Sequence, residues 1–520
     1  MKKIISVVLV MIMSLSLTLP AFAASGDSYL PIVYVEGQGD YIYADKDDPN
    51  SEVLNRQVIP DGMIDAMVEQ LTEPLIKGAL KRDYSEYCDA LYNWFAPYYE
   101  RMALDENGEV SNGTGNDCIQ EIPTDDRSRN GMYEINSYNM TYDFRLDPLV
   151  LADQLNEYIE AVKTATGHSQ VNIISRCLGV NIVLAYFYKY GTASVNKCVM
   201  YATGFDGFDV CGALFSGSVV ALPDAVDRYV QSNLADDDGV QQLIKAVVTM
   251  TNKLKTFGFA IDEIYDIYEA VYQNVIPRLM KVCHGSFPSY WSMVNDEYYE
   301  KAKQLNFGGQ EEKYAEFIRK IDNYHYNVYQ NQEQMLRNAM ANGMELYIVA
   351  KYNTAMLPVA STSELQSDGD VNTSSSSYGA TITDIDKTLS DKYIEDAVAN
   401  GKGAYISPDK KIDASTCFLP DHTWFIKDLH HDYMPYDVDA RLFGTMFKHN
   451  GYMTVWDYEE LPQYLYWDGG RISPLTDQNS GGRPEWNKSF LESFRYFMLK
   501  ILNYLNDLLQ RISDKLSGNK

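Results

Sequence analysis

Within nine residues the chain passes from a β-branched run, Val171-Asn172-Ile173-Ile174, through Ser175-Arg176-Cys177 and into Leu178-Gly179. Those last two open an apolar helical pattern that reaches Tyr190 and closes at Gly191. A strand that feeds a helix this abruptly is the first half of a crossover, so the next strand lies parallel to it. The flanks agree. Asp147-Pro148 opens a helix in the N-cap and N1 positions, with Leu151, Leu155, Tyr158, Ile159 and Val162 on one face and Gly167 just past its end. Lys197–Ala202 is the following strand, and Pro31–Val35 is an earlier one that ends in the turn Glu36-Gly37-Gln38-Gly39. The expected fold class is α/β, a mostly parallel sheet with helices on both faces.

The rest of the chain divides around that unit. Lys2 and Lys3, the apolar run Ile4–Leu19 and the site Ala21-Phe22-Ala23 have the order of a secretory signal peptide over residues 1–23. The mature protein is therefore expected to be secreted or associated with the cell envelope. Residues 24–212 form the first part of the core, with helical patterns near Asp61–Leu71 and Glu86–Met102. From 213 to 342 strand signals vanish and helical ones dominate, as in Ile261–Met280, which reads as an inserted helical cap or lid. The core resumes over 343–484 with strands Met344–Ala350 and Thr423–Ile426, the latter the last strand expected. Between them, Asp368–Val371 and Ser374–Ser377 read as a flexible, low-complexity loop. Residues 485–520 form an amphipathic C-terminal helix, with Phe494, Met498, Ile501, Leu505, Leu508 and Ile512 in register. Gly469–Pro484 is expected to separate it from the body, leaving its apolar stripe for a membrane surface or a second copy of the chain.

Charge and cysteine usage exclude several classes. Lysine and arginine number 44 against 72 aspartates and glutamates, a formal charge of −28, so phosphate backbones are repelled and nucleic acid is not an expected partner. Seven cysteines (88, 118, 177, 198, 211, 283 and 417) contain no CxxC pair, which rules out zinc ribbons and thioredoxin-like motifs. Cys198 reads as a buried inert thiol, and Cys88 could bridge to Cys118. No metal site or cofactor is expected: Asp236–Gly239 lacks the alternating oxygens of a calcium loop, and His430-His431 is not a helical ligand pair.

The chemistry centres on the strand-to-helix turn. A nucleophile elbow holds a reactive side chain above the sheet, with small residues two before and two after it. Here Ser175 and Gly179 flank Cys177. A helix N-terminus favours a thiolate, which further needs a base and a group to orient that base. His431 follows strand Thr423–Ile426 after a short loop, with His430 its competitor and His422 before the strand. Asp368 or Asp370, in the loop after the preceding strand, is the candidate acid. The backbone N–H of Leu178, and that of Gln38 in the first turn, are candidate oxyanion donors.

These stretches resemble an α/β-hydrolase, specifically the lipases similar to lecithin–cholesterol acyltransferase. The elbow Ser175–Gly179, Tyr142-Asp143-Phe144-Arg145, Asp368-Gly369-Asp370-Val371, Phe287-Pro288-Ser289-Tyr290-Trp291 and His431-Asp432-Tyr433-Met434 carry the resemblance. It implies Cys177 in the place of the nucleophilic serine, Asp368 as acid, His431 as base, and acyl-ester chemistry on lipids beneath a helical cap. Phe287, Tyr290 and Trp291 of the cap are expected to line the substrate cavity. Family members often have a histidine where Glu36 stands, and an inward-pointing carboxylate there would oppose a developing oxyanion. Two functions follow: an exported acyl hydrolase or acyltransferase acting on apolar esters or thioesters through Cys177, His431 and Asp368, or an inactive relative that binds a lipid or other hydrophobic ligand.

Overall fold

The computed structural model describes residues 29–38, 41–55, 63–116, 137–220, 222, 225, 228, 229 and 261–480. The expected signal peptide, Cys118, Asp236–Gly239 and the expected C-terminal helix lie outside the described residues. Eight strands make the central sheet: β1 (Ile32–Val35), β2 (Ser137–Met140), β3 (Val171–Arg176), β4 (Val195–Tyr201), β5 (Glu345–Tyr352), β8 (Thr423–Lys427), β9 (Tyr464–Trp467) and β10 (Ile472–Pro474). The short β6 (Thr381–Ile382) and β7 (Ile412–Asp413) pair antiparallel outside it. The sheet order is β10-β9-β8-β5-β4-β3-β1-β2. Every pairing is parallel except β9 with β10.

Alternation along the strands explains why the sheet is covered twice. Val33, Ile173, Met200 and Ile348 point into one apolar core, whereas Tyr34, Ile174, Val199 and Val349 point into another. Helices Pro148–Thr166 and Leu178–Tyr190 pack on the first; segments Val438–Phe443 and Gly444–Lys448 pack on the second. Val33, Ile173, Val199 and Ile348 stand in one sheet, as the pattern predicts. The caps match too: the Asp147 carboxylate accepts from the Leu149 N–H at 2.9 Å, and Gly167 takes φ 72°.

The described elements between β4 and β5 are helical, and their apolar side chains join the core of the first sheet face. The helix expected over Ile261–Met280 is two, Ile261–Asn274 and Ile276–Val282, because Pro277 cannot donate the backbone bond that would join them. Among the described residues no helix is long and apolar enough to cross a membrane.

Three expectations need correction. Strand Thr423–Ile426 is not the last, since β9 and β10 follow, and the start of the supposed linker Gly469–Pro484 is their hairpin. Ser374–Ser377 is not a loose loop. Asn372 caps a helical turn, Thr373–Ser376, by accepting from the Ser375 N–H at 2.8 Å, and the Ser375 hydroxyl donates to the Gly207 carbonyl at 2.8 Å. Serine-rich composition here reflects side chains spent on backbone partners. β2 was unread because Ser137-Tyr138-Asn139-Met140 offers no apolar run.

Asp143 and Arg145 fix the approach to helix Pro148–Thr166. The Arg145 guanidinium, fully buried, spends all five donors on Asp143, Met102 O and the Thr114 hydroxyl and carbonyl, at 2.6–3.0 Å. Arg145→Met leaves Asp143 buried without its partner, so unfolding in urea should require about 3–5 kcal/mol less.

Candidate active site

Cys177 ends β3 and begins helix Leu178–Tyr190 with φ 51° and ψ −127°. That positive φ is a left-handed conformation costing a non-glycine residue about 1–3 kcal/mol. Neighbouring bonds hold it: Cys177 N–H donates to Tyr201 O at 3.1 Å, and Cys177 O accepts from Val180 N–H at 3.1 Å. Close approach of the helix start to β1 depends on glycine. A Cβ on Gly179 would lie 2.1 Å from Val35 O and 2.6 Å from Glu36 O, and one on Gly37 would lie 2.8 Å from the Cys177 Cβ. The thiol therefore sits between the first turn and the helix N-terminus, whose dipole favours negative charge.

His431 and Asp368 meet at the same edge of the sheet. Asp368 follows β5 and His431 follows β8, and these neighbouring strands lie two and three places from β3. The His431 Nδ1 lies 2.8 Å from Asp368 Oδ2, and the His431 N–H donates to Asp368 O at 2.8 Å. The other carboxylate oxygen accepts from the Val371 N–H at 2.9 Å and the Asp370 N–H at 3.1 Å. Both groups are buried. Burial alone would raise the Asp368 carboxyl, but the His431 ring beside it holds it at about 2. Burial alone would lower the imidazole, but Asp368, then the Cys177 sulfur and Asp370, hold it well above its ordinary value. The surroundings thus favour the charged ring, and Nε2 is buried with no hydrogen-bond partner.

Sequence candidates left open are now distinguished by position. His430 packs over Gly369, where a Cβ would lie 2.7 Å from its Nε2, and it takes no part in the Asp368 contact. Asp370 stands on the opposite side of the His431 ring, 4.0 Å from Nε2, with 43% of its side chain exposed. Desolvation of its carboxyl end and the neighbouring Asp432 push that carboxyl up, against the pull of the His431 ring. Asp370, His431 and Asp432 bring donor atoms within 4.8 Å of one another. A ring whose surroundings favour its charged form, and the Arg176 guanidinium 3.7 Å from Asp432, make that grouping unsuited to a cation.

Arg176 also answers the concern over Glu36, whose carboxylate lies 3.6 Å from its Nη1 and is paired there. The turn itself is pinned by Tyr142, whose hydroxyl donates to Glu36 O and, at 3.0 Å, to Gly37 O. Gln38 follows in that turn and is exposed. Leu178 is the first residue of its helix, so its N–H has no acceptor within the helix. Phe287, Tyr290 and Trp291 are buried in an aromatic cluster. Trp291 stacks on Phe215 with centroids 5.2 Å apart and its Nε1–H donates to Gly285 O, while Phe287 meets Phe144 and His284. The ring found against His431 is Phe208, 6.1 Å between centroids.

Lys351, Arg176 and Tyr142 are site residues whose roles the sequence did not disclose. Lys351 had a signal: a lysine inside the apolar strand Leu346-Tyr347-Ile348-Val349-Ala350-Lys351-Tyr352 must find partners when buried. The chain matches no protein-family model and is significantly similar to no curated protein.

Proposed function

We propose that the protein is an exported acyl hydrolase or acyltransferase of the α/β-hydrolase kind, resembling the lipases similar to lecithin–cholesterol acyltransferase, with Cys177 as nucleophile. The observation that supports this reading best is the meeting of a strained, positive-φ cysteine at a strand-to-helix turn with a buried His431–Asp368 pair at the same sheet edge. In the reaction, the Cys177 thiolate attacks the carbonyl carbon of an apolar ester or thioester, and a C–S bond forms. The carbonyl oxygen takes negative charge, met by the N–H groups of Leu178 and Gln38. Collapse breaks the bond to the leaving group, which departs with the proton from His431 Nε2. Water or an alcohol then attacks the thioester, His431 takes its proton, and the acyl product leaves with Cys177 restored. Asp368 orients and stabilises the imidazolium throughout.

A second reading, a non-catalytic relative holding a lipid, is favoured by one observation: the His431 Nε2 makes no hydrogen bond, to the Cys177 sulfur or to any other described group. Iodoacetamide separates the two. Cys177 should alkylate faster than the five other described cysteines, and His431→Ala should slow it by at least tenfold while short acyl esters cease to turn over. A Cys177 that alkylates slowly and equally in both proteins leaves the binding reading.

A further inference from the structure

Three sheet lysines are buried, and they are not used alike. The Nζ of Lys197, on β4, lies 3.0 Å from a carboxylate oxygen of Glu345, and that of Lys427, on β8, lies 3.1 Å from one of Asp409. Lys351, on β5 between them, has no carboxylate within 4.0 Å among the described residues. Lys197 adds the carbonyls of Met446, His449 and Gly451 to its carboxylate, whereas the Lys351 ammonium donates to three backbone carbonyls alone, those of His430 (2.8 Å), His431 (2.7 Å) and Tyr433 (2.9 Å). All three belong to the loop that presents His431. An ammonium has three protons and no lone pair, so these acceptors use it completely. The face of the Tyr201 ring lies 4.3 Å from the nitrogen, and the Arg176 Nη2 donates to the same His431 carbonyl at 3.0 Å. A hydrophobic strand has thus accepted a buried cation whose acceptors lie on one short, otherwise irregular segment.

We propose that Lys351 is a positioning residue: in its charged form it ties the backbone of residues 430–433 and so holds the His431 ring in line between Asp368 and Cys177. This rests on the assignment of Cys177 and His431 as nucleophile and base. A neutral amine has two protons, so it satisfies two of the three carbonyls and turns a lone pair toward the third. The loop is then held by one bond fewer, and the ring is free to drift from a position the chemistry requires to within a fraction of an ångström. The groups facing the ammonium are Arg176 from the end of β3, Asp368 from the loop after β5, Asp432 from the His431 loop, Cys177 from the helix start and the Tyr201 ring from β4. Burial first, then Arg176, lower the ammonium to about 7, against the pull of Asp368, Asp432 and Cys177. The tie is present below that pH and is progressively lost above it.

The test is the full-length protein alkylated at Cys177 with iodoacetamide between pH 5.5 and 8.5, alongside turnover of a short acyl ester. Wild type should lose His431-dependent activation of Cys177 and kcat above a midpoint near 7. Lys351→Met should lower kcat by about 100-fold with KM changed less than threefold, and its remaining activity should lack that midpoint. Lys351→Gln, whose amide offers two donors, should fall between the two proteins. If Lys351→Met does not fold, wild type labelled with 15N-histidine decides: His431 ring signals must move with the same midpoint, and their constancy through it overturns the proposal. Unchanged kcat and pH dependence in folded Lys351→Met overturn it equally. Failure of wild-type Cys177 to be activated at any pH instead overturns the catalytic reading beneath it.

Discussion

Exchanging Asp368 for asparagine is expected to preserve the fold and lower kcat by roughly 10⁴-fold. The asparagine carbonyl can keep accepting from the Val371 and Asp370 N–H groups. Its amide nitrogen must then face His431 Nδ1, where a carboxylate oxygen stood at 2.8 Å. An NH₂ group donates, so Nδ1 becomes the acceptor and the ring proton moves to Nε2. That is the neutral tautomer unable to take a proton from Cys177, and the imidazolium has lost the charge that holds it well above its ordinary pKa. Circular dichroism should match wild type while ester turnover nearly vanishes. Turnover within tenfold of wild type would remove Asp368 from the orienting role.

The second large effect is on stability. A Cβ at position 179 would meet two backbone oxygens, at 2.1 and 2.6 Å, with no flexible side chain to give way. Gly179→Ala must therefore push helix Leu178–Tyr190 away from β1, opening the contact that seats Cys177. Overpacking usually costs about 1–3 kcal/mol; backbone on both sides puts this substitution at the upper end, near 3 kcal/mol. The midpoint of chemical denaturation should fall accordingly, and alkylation of Cys177 should lose its dependence on His431. A variant with wild-type stability would mean that the helix start is not packed on β1 as described.

The parts of this architecture visible in the sequence are those with repeating signals. Short apolar, β-branched runs in β1, β3, β4, β5 and β8, buried on both faces, and Asp147-Pro148 with Gly167 around one helix, are local patterns that burial and capping impose. What escaped was governed by partners far along the chain. β2 and β10 join the sheet by edge pairing, and neither Ser137–Met140 nor Ile472-Ser473-Pro474 shows the composition of a buried strand. The serine-rich turn after Asp368 looks like a linker until Asn372 and Gly207 supply its bonds. At the site, Cys177, His431 and Asp368 were visible through their places relative to strands. Arg176 and Lys351 were not assigned roles, because both act on the carbonyl of His431, a group every residue has. Tyr142 likewise acts on the carbonyls of Glu36 and Gly37.

The sheet order has a consequence for how the molecule matures. β4 pairs with β5 across the whole helical excursion between them, and β5 pairs with β8 across another long segment. Pairings of such large sequence separation are slow to form, because loop closure must precede any gain from contact. Cys177 is seated against Gly37 of the first turn and bonded to Tyr201 of β4, whereas His431 reaches this edge of the sheet only once β8 has docked. On the proposed mechanism, then, the thiol gains its base only when that pairing is made. Pulsed alkylation of this one sulfur during refolding is therefore expected to report when β8 docks.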